Sequence, residues 1–155
     1  RVKINVDASF HAETLAGACG AVARDGRGNF IAAATWPLVH VASVVSIEIK
    51  AIRYGLILAS NIGCSNIIIE SDSLNALEPV SDLDAYMGPD VPIITETGLL
   101  AMDFSNVSFV HCGRETNLVA DCLVKYCFSL GLSQFWNSNP FDFILSHIVN
   151  DMAII

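Results

Sequence analysis

The chain opens on strict alternation. In VKINVDASF, Val2, Ile4, Val6 and Ala8 point one way and Lys3, Asn5, Asp7 and Ser9 the other, the period of a strand with one apolar face. GACGAVARDGRGNFIAAATW continues as two β-rich runs around Asp25-Gly26-Arg27-Gly28, a hairpin turn because glycine tolerates positive φ. From Ser43 to Ile62 the period becomes helical. Ile47, Ala51, Tyr54 and Leu58 form one stripe, and Glu48, Ile52, Gly55 and Ala59 the next. Lys50 and Arg53 mark the solvent side, which leaves Glu48 as the one acid on the apolar half.

Asn61-Ile62-Gly63 ends this helix, and SNIIIES is a fourth, buried strand. A short helix starts at Ser73 and ends near Pro79; residues 81–92 form a loop, and IITETGLLAM is helical. NVSFVHC is a fifth strand. Asn117 to Leu130 is a second well-patterned helix, with Leu118, Cys122 and Leu123 inside. The pattern predicts an α/β fold: a mixed five-stranded sheet, three antiparallel strands followed by two parallel additions, flanked by helices. Residues 1–130 form the domain, and 131–155 are an apolar tail expected to dock on it.

Composition narrows the class. Charged residues make up only 15% and hydrophobic ones 53%, which excludes disorder and supports a solid core. The apolar runs are short and interrupted, so no membrane span is expected. The chain begins at Arg1 and shows no signal-peptide pattern, so it reads as a domain of a longer parent with other domains. Five cysteines form no CxxC pair, which points to buried free thiols in an intracellular, reducing compartment, nucleus or cytoplasm. The net charge of −8, with no Lys or Arg between Arg53 and Arg114, runs against phosphate binding.

Four carboxylates stand where charge is unexpected: Asp7, Glu48, Asp72 and Asp121. Each has an ordinary reading. Asp7 fits a wet sheet face, Asp72 a cap for the helix at Ser73, Glu48 a border position and Asp121 a helix first turn. Gathered together they would repel, and cations would be needed to neutralise them; oxygen-only ligands suit Mg²⁺ or Mn²⁺ rather than zinc.

Four segments in register resemble type 1 ribonuclease H, in particular the plant, retroelement-derived RNase H-like domains: VKINVDAS, GACGAVARDGRGNFIAA, SIEIKAIRYGLILASNIGCSNIIIESDS and VSFVHCGRETNLVADCLVKY. The tail with NPFDFI resembles the segment after that domain in the plant proteins. The resemblance implies an RNase H-like fold and a metal-dependent endonuclease cutting the RNA strand of RNA–DNA hybrids. It implies that Asp7, Glu48, Asp72 and Asp121 hold two Mg²⁺ or Mn²⁺ ions, with His111 assisting proton transfer or product release. Ser9, Arg114 and Asn117 fall on the substrate-binding side, Asn117 also fixing the loop and orienting Asp121. Glu70 is a neighbour and not a ligand. Two departures stand out: Ala8 replaces the glycine common after the first acid, and the basic substrate-binding segment of bacterial relatives is missing. The acidic balance and the missing basic segment favour, as the alternative, a catalytically weak or inactive module acting in nucleic-acid or protein binding.

Overall fold

The computed structural model describes residues 1–82 and 88–137. The alternating N-terminal segment is β1 (Val2–His11), and the hairpin runs are β2 (Ala16–Arg24) and β3 (Phe30–Leu38). α1 (Val44–Asn61) leads to β4 (Asn66–Ser71), α2 (Leu74–Ser81), α3 (Val91–Ala101) and β5 (Asn106–His111). A 3-10 turn (Arg114–Thr116) precedes α4 (Leu118–Leu130) and β6 (Gln134–Asn137). The sheet order is β5-β4-β1-β2-β3-β6, with β1–β2, β2–β3 and β3–β6 antiparallel and β1–β4 and β4–β5 parallel. The mixed α/β sheet is therefore the expected one with a sixth strand added. That strand comes from the expected tail, where Phe135 faces Ala34 and Trp136 faces Ala33; residues 138–155 lie outside the described residues.

The sheet carries α1, with α2 and α3, on one face and α4 on the other. Ile4, Val6, Ile69 and the α1 residues Ile47, Ile52 and Leu56 share the larger core. Val22, Ala33, Val119, Ala120 and Leu123 make a second, smaller one under α4. Because both faces are covered, Asn5 and Asp7 are buried along with Ile4 and Val6, so the polar half of the alternation is not a wet face. Gly20 lets α4 lie close: a methyl group there would meet Val124 Cγ2 at 3.1 Å and Leu123 Cβ at 3.2 Å.

Several boundaries differ from the sequence pattern. α2 runs through Pro79 to Ser81, because the Asp82 N–H still reaches the Glu78 carbonyl (3.0 Å) beyond the proline. α3 begins at Val91, with Pro92 in the first turn where its missing N–H costs nothing. The expected loop is shortened accordingly, and residues 83–87 lie outside the described residues. Leu118 is exposed rather than inside; Val119, Ala120, Val124 and Cys127 fill the interior with Leu123. Arg53 is half-buried, its guanidinium 2.7 Å from Glu96 on α3 and lying over the Tyr54 ring. All five cysteines are free thiols. Among the described residues no helix is long and apolar enough to cross a membrane.

The seat of α1 on the sheet depends on Gly55, where a Cβ would stand 2.6 Å from Val6 Cγ1 and 3.3 Å from Ile69 Cδ1. Gly→Ala in an exposed helix gains about 1 kcal/mol. Here overpacking outweighs that gain, and Gly55→Ala should lower the urea unfolding free energy by roughly 1–3 kcal/mol.

Candidate active site

Three elements converge at one end of the sheet. β1 and β4 run parallel with Asn5 opposite Glu70, so continuing that register by two residues sets Asp7 beside Asp72. Asp72 follows the last residue of β4, and it has no capping duty. Ser73 caps α2, its Oγ accepting from the Ala76 N–H at 3.3 Å. α1 is capped by Ser43, whose Oγ accepts from Ser46 N at 3.0 Å, and the helix then presents Glu48 over the same edge. The result is a group of three carboxylates, Asp7, Glu48 and Asp72, with one oxygen of each within 4.8 Å of the others.

Asp121 reaches the site from the opposite face of the sheet. It lies in the first turn of α4 and lines a cleft of about 410 Å³ together with Asp7, Glu48, Asp72, Arg114 and Lys125. It stands outside the three-acid group, and its Oδ2 pairs with Lys125 Nζ at 2.8 Å. His111 is exposed at the end of β5, opposite Ser71, and lines an adjoining cleft of about 420 Å³ with Glu48, Asp72 and Arg114. Arg114, on the 3-10 turn, borders both clefts.

Two expected substrate contacts sit elsewhere. Asn117 is 1% exposed: its Oδ1 accepts from Asn5 Nδ2 (3.1 Å) and its Nδ2 donates to the Val6 carbonyl (2.9 Å). Neither end is left for a substrate. Ser9 lies beyond the cleft lining, with its Oγ buried and without a hydrogen-bond partner. Glu70 faces α4's side of the sheet, receiving Asn5 Nδ2 at 3.0 Å with Lys3 Nζ at 3.5 Å. Sequence reading missed Asn5, although its position two residues before Asp7 puts both on one face. It also missed the turn-to-turn pairing of Lys125 with Asp121, which the i,i+4 spacing carried.

Charge repulsion and burial dominate the chemistry. Burial first, then the Asp72 charge, pushes Asp7 up to about 7; the Ala8 N–H hydrogen bond and Arg114 offset part of this. Burial, then Asp7 and Asp72, pushes Glu48 up to about 8, against a smaller opposing pull from Arg114. Asp72 is raised as well, chiefly by burial. Glu48 Oε2 is buried with no hydrogen-bond partner. An orphaned carboxylate oxygen among three clustered acids fits a hard divalent cation, which takes oxygen ligands and removes the repulsion.

The reverse transcriptase-like family model matches residues 5–127. Among solved structures, the ribonuclease H1 of the halophilic archaeon Halobacterium salinarum is similar with a TM-score of 0.72 at 23% identity, covering 83% of this chain and 97% of that one. The N-terminal RNase H domain of a Mycobacterium tuberculosis protein gives 0.75 at 21% identity, over 83% and 94% of the two chains. LC11-RNase H1, in its complex with an RNA/DNA hybrid, gives 0.69 at 17% identity, over 84% and 99%. These likenesses establish the RNase H fold. No curated protein sequence matches the chain.

The raised carboxyls set the sign of a pH effect. Between about pH 4 and pH 8 the folded chain keeps protons at Asp7 and Glu48 that the unfolded chain has released. The native state binds more protons in that window, so stability without metal should fall as pH rises through it. Asp7→Asn should flatten the slope and raise stability at pH 8 by roughly 1–3 kcal/mol, measured by urea unfolding in a chelator.

Proposed function

This chain belongs to the reverse transcriptase-like family and carries a type 1 ribonuclease H-like domain, and from that premise we propose that it is a metal-dependent endonuclease. Its substrate is the RNA strand of an RNA–DNA hybrid, and its products end in a 3′-hydroxyl and a 5′-phosphate. The observation that carries this reading is the gathering of Asp7, Glu48 and Asp72 from three elements, with a buried Glu48 oxygen left without a partner. The hybrid in the LC11-RNase H1 complex supports the choice of substrate.

Asp7, Glu48 and Asp72 would hold Mg²⁺ or Mn²⁺, with Asp121 joining them across the cleft for a second ion. Such a pair of ions supplies activation of water and charge stabilisation at the leaving oxygen of a phosphodiester. The chain's own contributions are geometric and electrostatic. Arg114 borders both clefts and offers the cationic fork that suits a phosphate. Lys125, paired with Asp121, adds a second cation on the α4 side. His111, exposed beside Asp72, is placed to carry protons between the site and solvent. The methyl of Ala8 and the exposed side chain of Leu118 form the apolar part of the cleft wall.

One observation favours a second reading, a binding module with weak or no turnover. The net charge is −8, and no Lys or Arg occurs between Arg53 and Arg114. Backbone affinity for nucleic acid comes mainly from Lys and Arg, so binding by this chain alone is expected to be weak.

Incubation with an end-labelled RNA–DNA hybrid separates the two. The nuclease reading expects internal cuts in the RNA with Mg²⁺ or Mn²⁺, none with a chelator, and none in double-stranded DNA. Asp72→Asn should lose more than about 100-fold in rate. Binding without any cleavage at high protein concentration would leave only the module.

A further inference from the structure

We infer that Asn5 is a positioning residue: acting through Asn117, it fixes the first turn of α4, and with it Asp121, across the cleft from the other three acids. The inference rests on the nuclease reading and identifies what arranges its fourth acid.

The first observation is a departure from local rules. Asn117 occupies the N-cap of α4, a place where asparagine ordinarily accepts a hydrogen bond from its own helix. It makes no side-chain cap bond. Its side chain turns back to β1 instead, accepting from Asn5 Nδ2 at 3.1 Å and donating to the Val6 carbonyl at 2.9 Å. Val6 immediately precedes Asp7. The backbone carbonyl of the same Asn117 accepts the Asp121 N–H at 3.1 Å. One residue therefore links the strand position next to Asp7 with the helix position of Asp121.

The second observation is how firmly Asn5 is held. It is 1% exposed, and its Oδ1 accepts from Arg24 Nη2 on β2 at 2.8 Å. Its Nδ2 donates both to Asn117 and to Glu70 Oε2 on β4, the latter at 3.0 Å. Three adjacent strands thus converge on one amide, and a buried amide with all its partners in place has one orientation. The same contact draws Glu70 toward Asn5 and Lys3, two residues short of Asp72. Asn5 therefore separates an acid that belongs to the scaffold from those that face the cleft.

A merely structural polar cluster would stabilise the fold without acting through Asp121. A double-mutant cycle on the full chain distinguishes the two, since interaction terms appear only between coupled residues. Asn5→Ala should lower kcat on the hybrid about 10- to 100-fold with little change in KM, the range seen when partners of metal ligands are removed. Asn117→Ser should do the same while keeping a side chain able to cap α4, so it carries the test if Asn5→Ala fails to fold. In an Asp121→Asn background neither change should lower kcat further. Assays run below the unfolding midpoint of every variant.

Mn²⁺ affinity, read by calorimetry, obeys the same cycle without requiring turnover. A wild type that binds Mn²⁺ but cuts nothing removes the nuclease reading alone, and the positioning role is then decided by whether Asn5→Ala and Asp121→Asn lower Mn²⁺ affinity non-additively. Effects of Asn5→Ala that multiply with those of Asp121→Asn would overturn the proposal. So would an Asn5→Ala protein with wild-type kcat and Mn²⁺ affinity, or a wild type that neither cuts nor binds Mn²⁺.

Discussion

Repulsion among Asp7, Glu48 and Asp72 governs the site. Three carboxylates within 4.8 Å of one another, one buried and two half-buried, cannot all ionise without a compensating charge. Arg114 supplies part of that compensation from the exposed 3-10 turn, and burial together with mutual repulsion still leaves Asp7 and Glu48 partly protonated near neutrality. The fold therefore keeps an unfavourable arrangement that ordinary packing would eliminate. Strain of this kind at a cleft is a functional signature, because a divalent cation turns the repulsive cluster into a ligand set.

The scaffold around the acids is built to hold that arrangement. Parallel pairing of β1 with β4 puts two acids side by side, and Gly55 allows α1 to lie against Val6 so that Glu48 overhangs them. On the other face, Gly20 admits α4 close to the sheet, and the Asn5–Asn117 contact ties its first turn to β1. Asp121 is thereby presented to the cleft, outside the triad and paired with Lys125. The buried amides do for α4 what the isoleucines of β4 do for the sheet, with hydrogen bonds in place of apolar contact.

Much of this was legible in the residues. Alternation in Val2–Ser9 and the helical stripes of α1 gave their elements directly, because one apolar face per element is enough to set the period. Asp72 at the exit of an isoleucine strand stood out for the same reason. What stayed hidden depended on contacts between distant segments. The burial of Asn5 and Asp7 required knowing that α4 covers their face, and the four-residue β6 has too few positions to show a period. Asn117 was expected on the substrate side as well as fixing the loop before Asp121, but its side chain is spent on β1. Ser9 lies two positions after Asp7 and shares its strand period, but the cleft ends before it.

Asp7 and Glu48 are kept partly protonated by burial and by the neighbouring carboxylates, and they should release those protons when a cation arrives. Calorimetric titration of Mg²⁺ near pH 7 in buffers of different ionisation enthalpy measures the protons released on binding. The expected result is binding with an apparent enthalpy that depends on the buffer, and a smaller proton release for Glu48→Gln. Binding with no proton release, or no binding at millimolar Mg²⁺, would contradict it.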